Sequence, residues 1–321
     1  MKTYILENEY LKATILDYGA TLVSLIVKEK DVDVVLGFYD FEKYQHEGEY
    51  LGQTIGRVCN RIAKGSFTLN GETYHLPINN GPNSLHGGEI GFNKHEFVLK
   101  SKTEKAVSLR TISKDMDQGY PGELTLDVSY QLIENRLEVC FDATTTKDTL
   151  ASFTNHAFFN LNGQGSVLEH KVWIDAKEIG MVDSQGQTLE TRMAVENTPF
   201  DFNDEATIEC QINQSHSQLT NGNGFDHNYC FAKHGYGLKA SLSNEKIKMN
   251  VYTDHDHMHF YTGNFLSHQQ GKNDIIYAPR DGVCFETQHY PSAIHYPNEV
   301  SPILKKGEQY HHLTAFEFNI L

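Results

Sequence analysis

Apolar and polar residues alternate with a period of two along much of the chain. The alternation is clear over residues 4–6, 12–16, 21–28, 66–69, 96–101, 106–112, 124–133, 136–143, 171–174, 239–243 and 246–253. Successive side chains of a strand point to opposite faces, so each run predicts a strand with one face inward. Gly, Asn and Asp punctuate the runs at roughly ten-residue intervals. Asn70-Gly71 and Glu134-Asn135 have the composition and placing of hairpin turns. Long amphipathic helix patterns are missing; the short candidates are 40–44 and 204–212, each opening near an Asp or Asn cap. The pattern predicts an all-β fold, a large antiparallel sandwich with few short helices. No Pro/Ser linker or compositional step divides the 321 residues, so one domain over 1–321 is expected.

Composition narrows the function. The net charge of −15 repels phosphate backbones and anionic bilayers, which argues against nucleic-acid and membrane partners. The five cysteines are scattered, odd in number and contain no C-x-x-C pair, which argues against a disulfide framework or a structural zinc site. The N-terminus turns polar at Glu7-Asn8-Glu9 and no apolar run approaches the ~20 residues of a membrane span. The expected location is the cytoplasm.

Several polar residues sit where a strand ordinarily buries apolar ones. In the strand predicted within 281–291, Cys284, Glu286 and Gln288 share one face and Val283, Phe285 and Thr287 the other. A carboxylate among such neighbours either faces water or lines a cleft with a task. In Gly56-Arg57-Val58-Cys59-Asn60-Arg61-Ile62, an extended backbone points Arg57, Cys59 and Arg61 one way and Asn60 the other, unless a bulge intervenes. Arginine offers a fork of donors for hydroxyls or carboxylates, although an ordinary surface ion pair is the simpler role for either one. In Leu85-His86-Gly87-Gly88, the paired glycines permit close backbone approach to a ligand. His156 lies among aromatics in a predicted strand, where it is either a satisfied core histidine or a proton donor and acceptor. Asp226 sits beside a Gly/Asn-rich loop and could be a turn former. His255, His257 and His259 would share a strand face, an arrangement that fits either a divalent metal or a polar cleft lining.

Taken in order, these pieces resemble the galactose mutarotase (aldose 1-epimerase) family. The resemblance runs through Gly-Arg-Val-Cys-Asn-Arg-Ile at 56–62, Leu-His-Gly-Gly at 85–88 with Gly-Phe at 91–92, and Thr-Asn-His at 154–156 with Phe-Asn-Leu at 159–161. It continues through Thr-Pro-Phe-Asp-Phe at 198–202, Phe-Asp-His-Asn at 225–228, Phe-Tyr-Thr-Gly-Asn at 260–264 and Glu-Thr-Gln-His-Tyr-Pro at 286–291. It implies a β-supersandwich and a cofactor-free, metal-free enzyme that interconverts the α and β anomers of free aldoses such as galactose and glucose. It implies Glu286 as general base, His156 as general acid, and Asn60, Arg61, His86 and Asp226 as sugar-binding residues. His259 stands where the family often has Gln, which leaves one hydroxyl contact open. With the acid and base on opposite sides of the sugar, apolar surroundings would raise the pKa of Glu286, and nearby negative charge would keep His156 protonated. The expected partner is a small sugar and the expected assembly a monomer or homodimer. The rival readings are a glycoside hydrolase using Asp226 and Glu286, and a non-catalytic carbohydrate-binding module.

Overall fold

The computed structural model describes residues 1–46 and 49–321. Among these, the strands form one nine-stranded sheet, one five-stranded sheet, one four-stranded sheet and several two-stranded ribbons. The nine-stranded sheet is built on the longest alternating runs. Leu124–Ile133 and Arg136–Thr145 pair in register from Leu124↔Thr145 to Ile133↔Arg136, and burial alternates along both. Tyr310–Ile320 and Ile247–Thr253 continue the sheet on one side and Ala106–Ser113 on the other, all antiparallel. The turn at Asn70-Gly71 joins Ser66–Leu69 to Glu72–His75 with both turn residues at positive φ, 51° and 85°. Glu134 turns the second expected hairpin at φ 51°.

The five-stranded sheet runs in the order Thr188–Ala194, Ala176–Val182, Asp226–Phe231, His257–Tyr261, Cys284–Thr287. One hydrophobic cluster includes Val128, Phe141 and Phe316 from the larger sheet and Tyr229, Phe260 and Phe285 from this one. Phe159 links the two, with ring centroids 4.7 Å from Phe316 and 6.5 Å from Phe285. Each such side chain contributes about 1.5–3 kcal/mol by leaving water.

Among the described residues the helices are three and short: Lys43–His46, Ile208–Ile212 and Ser217–Gly222. The predicted 204–212 helix begins only at Ile208. Ala206–Thr207 pairs as a strand with Lys171–Val172, and the Thr207 side chain caps the helix by accepting from the Cys210 N–H. The predicted 40–44 helix likewise starts late, at Lys43. The unpredicted helix at Ser217 is capped by the His216 ring and ends at Asn223 in the left-handed region. No described helix is long and apolar enough to cross a membrane.

Candidate active site

The site grows from the register of the five-stranded sheet. Asn228, His259 and Glu286 lie directly opposite one another across three neighbouring strands, and Asp226, Tyr261 and Cys284 form the next row but one. Residues opposite each other, or two apart along a strand, share a face. This face is therefore polar. The alternate rows, His227–Phe260–Phe285 and Tyr229–Met258–Thr287, belong to the opposite face, where Tyr229, Phe260 and Phe285 join the core. The strands carry little alternation because they are buried on both faces.

Loops close the polar face into a cleft of about 630 Å³, and all seven expected site residues line it: Asn60, Arg61, His86, His156, Asp226, His259 and Glu286. His156 follows the short strand Thr154–Asn155 and is held by backbone hydrogen bonds from its N–H to the Gln53 carbonyl and from the Gly52 N–H to its carbonyl. Asn155 locks the same turn by donating to the Gly52 carbonyl and the Tyr130 hydroxyl. His86 Nδ1 accepts from the Asn60 backbone N–H, so the neutral ring carries its proton on Nε2. Arg61 reaches the cleft with Nε donating to Asn80 Oδ1 at 2.9 Å.

The expected common direction of Arg57, Cys59 and Arg61 does not occur. Asn60 has φ 60° and breaks the alternation. Arg57 turns into the protein, 2 % exposed, and donates to Ser113 Oγ and to the carbonyls of Ser113, Lys114 and Pro121. Cys59 meets Ser152 Oγ. Gly87 serves a backbone crossing: a Cβ there would lie 1.9 Å from the Gly56 carbonyl oxygen. The three strand histidines also part company. His255 packs on His312 and His289, His257 faces Glu299, and His259 meets Asp226.

Glu286 is 1 % exposed, and its Oε2 has no hydrogen-bond partner among the described residues. Its Oε1 lies 3.6 Å from His156 Nε2. Burial, reinforced by the charge of Asp226 and opposed by that of Arg61, pushes the carboxyl well above the usual carboxylate range. Burial also pushes His156 down to about 4, against the expectation that nearby negative charge holds it protonated. Glu286 and His156 are side by side in the cleft. His156 Nδ1 is 3.6 Å from Cys284 Sγ, and its ring stacks on Phe158 with centroids 5.1 Å apart. His259 Nε2 is 2.6 Å from Asp226 Oδ1. Burial raises the Asp226 carboxyl, but the His259 hydrogen bond and the charges of His259 and Arg61 outweigh it and hold it below its ordinary value.

Tyr50, Phe158, Tyr261 and Phe265 also line the cleft and were not singled out as site residues. Tyr50 sits against the rings of His86 and His156, with centroids 4.7 and 5.7 Å away. Phe158 and Tyr261 lie two residues from His156 and His259, whereas Tyr50 and Phe265 carry no such sequence signal. Apolar ring faces beside hydroxyl-binding groups suit a sugar. The donor atoms of His86, His156 and Glu286 lie within 4.8 Å of one another, so this set could also hold a divalent cation.

Residues 2–317 match the Aldose 1-epimerase family. The chain is 37% identical over 330 residues to galactose mutarotase of Homo sapiens, covering 100% of this chain and 94% of the relative. It is 34% identical over 322 residues to aldose 1-epimerase of Escherichia coli strain K12, covering 97% and 93%. Among solved structures, an aldose epimerase homologue from C. elegans superposes with a TM-score of 0.93 at 27% identity, covering 100% of this chain and 99% of that one. Galactose 1-epimerase from Lactobacillus acidophilus NCFM does so with a TM-score of 0.90 at 28% identity, covering 99% and 94%. The chain belongs to the aldose 1-epimerase family.

Proposed function

We propose that the cleft interconverts the α and β anomers of a free aldohexose such as galactose or glucose by opening and reclosing its ring. The observation that carries this reading is the Glu286–His156 pair, 3.6 Å apart in a buried cleft, with one carboxylate oxygen lacking a partner among the described residues. Ring opening takes a proton from the C1 hydroxyl and gives one to the ring oxygen. Both oxygens are bonded to the same carbon, so an acid and a base standing side by side can reach them together. Glu286 is the base and His156 the acid. Asp226 with His259, Arg61, His86 and Asn60 hold the remaining hydroxyls.

The shifted proton affinities fit this cycle. With Glu286 ionised and His156 protonated, the pair opens the ring. Afterwards Glu286 carries a proton and His156 is neutral, the form that burial favours on both residues. The charged form that binds the closed sugar is relieved by substrate hydroxyls at the unpartnered Oε2. Ring closure on the other face of the aldehyde returns both protons. Each group thus serves as donor in one direction and acceptor in the other. No step calls for a cofactor. The hydrophobic cluster shared by the two large sheets supports reading 1–321 as one domain of this activity.

Polarimetry tests the reading. Freshly dissolved α-D-galactose, followed with EDTA present, is expected to reach its equilibrium rotation faster with protein than without, and to the same final value. Relaxation at the spontaneous rate with folded protein, or release of the chromophore from a chromogenic galactoside, would overturn it.

A further inference from the structure

The outer face of the nine-stranded sheet carries a second set of converging donor atoms that the sugar chemistry does not use. Arg136–Thr145 and Tyr310–Ile320 pair so that Asp142 stands directly opposite His311, and Cys140 lies two residues from Asp142 on the same face. His311 Nδ1 is 2.8 Å from Asp142 Oδ1, and Cys140 Sγ is 3.6 Å from His311 Nδ1 and 3.5 Å from Asp142 Oδ2. His312, the next residue, faces the opposite way, 1 % exposed against Thr287 and Thr314, and does not compete for the set.

We propose that Cys140, Asp142 and His311 form a divalent transition-metal site, of the class that takes Zn²⁺ or Co²⁺, with its remaining position open to water. The two distances to sulfur are those of such a site. Tetrahedral zinc at ordinary bond lengths places a sulfur about 3.6 Å from nitrogen and oxygen ligands, and those two about 3.4 Å from each other. The distances from Sγ to His311 Nδ1 and to Asp142 Oδ2 are already at that length; the hydrogen bond between His311 Nδ1 and Asp142 Oδ1 has to open for an ion to enter. A mixed S, N and O donor set selects Zn²⁺ or Co²⁺ over Mg²⁺ and Ca²⁺, which take oxygen. Two adjacent paired strands fix the spacing of the ligands, so the site is largely preorganised. The charged groups that act on the thiol are Asp142, Asp254 and Glu138, all carboxylates, and so favour a cation. Burial and these charges push the Cys140 thiol up to about 12, so an arriving ion must displace a proton.

Cobalt reports on this site because a thiolate ligand gives Co²⁺ an intense near-ultraviolet charge-transfer band. The full-length protein, saturated with galactose to occupy the cleft, is titrated with Co²⁺ under reducing conditions. One equivalent per chain is expected to produce the band, and excess Zn²⁺ is expected to remove it. C140S is expected to lack the band, and H311A to need at least about tenfold more Co²⁺ to reach half its intensity. Both variants are expected to keep the wild-type polarimetric rate without added metal. No band at millimolar Co²⁺, a band that C140S retains, or a band that H311A leaves at the same midpoint would each overturn the proposal.

Discussion

The two large sheets solve different problems with the same backbone. In the nine-stranded sheet, burial alternates residue by residue along Arg136–Thr145, and polar side chains face outward. Its most heavily paired carboxylate, Asp127, is held by Arg110 and Lys100 at 2.6 Å each. In the five-stranded sheet, Asp226–Phe231, His257–Tyr261 and Cys284–Thr287 are buried on both faces, yet one face carries Asp226, His259 and Glu286. Asp226 and His259 pair through Nε2, whereas among the described residues His259 Nδ1 and one oxygen of Glu286 have no partner. A buried unsatisfied acceptor costs about 1–3 kcal/mol, more when charged. The first sheet turns its polar groups to solvent, and the second concentrates them in a cleft at a cost in stability, as functional sites commonly do.

Acid should have the largest effect, and on both sheets. His156 and His289 are lowered to about 4, and His227 and His257 to about 3, all chiefly by burial and all on or beside the five-stranded sheet; burial also lowers His170 to about 4 and lowers His312 on the nine-stranded sheet. Below pH 6.5 the unfolded chain takes up protons that these folded histidines refuse. Their contribution to stability is therefore complete above that pH and lost as the pH falls towards 4 and then 3. Each histidine contributes a slope of at most about 1.4 kcal/mol per pH unit. Urea midpoints measured from pH 8 to pH 4 should fall steeply below 6.5. Burial raises Asp127, but Arg110 and Lys100 outweigh that and hold it below the ordinary carboxylate range. A flat profile between pH 6.5 and 4 would contradict this account of the buried histidines.

His156→Gln is expected to lower kcat for anomerisation by about 10²–10⁴-fold while leaving the urea midpoint near wild type. Polarimetry and a melt on the same sample check both halves. Leu126→Ala should do the reverse. Leu126 is fully buried in the nine-stranded sheet, so its truncation should cost about 2–5 kcal/mol of unfolding free energy with kcat unchanged at 25 °C. His259→Ala removes the partner of Asp226, and a hydrogen bond to a charged group is worth about 1.5–3 kcal/mol. The expected result is a rise of about ten- to a hundredfold in KM for galactose with a smaller change in kcat. A KM that does not move would mean that the pair does not hold the sugar.

What could be read from the chain follows the same division. Strands with one wet face announce themselves by alternation, and 66–69, 124–133 and 171–174 were predicted residue for residue. The cleft residues were legible only as an ordered set of motifs, because strands buried on both faces lose the period-two signal. Their mutual geometry was not legible. One left-handed residue, Asn60, breaks the alternation between Arg57 in the interior and Arg61 in the cleft, and nothing in the spacing announced it. The placing of His156 beside Glu286, and of Tyr50 over two histidines, depends on contacts between segments far apart in the chain.

The most direct test of the account is exchange between the anomers of galactose at equilibrium, followed by two-dimensional NMR with wild-type protein and with Glu286→Gln. Wild type should give exchange cross-peaks between the two anomeric protons. Glu286→Gln should give none beyond the spontaneous level while saturation transfer from the protein to galactose still reports binding. Wild-type exchange in the Glu286→Gln protein would contradict the assignment of the base, and with it the reading of the cleft.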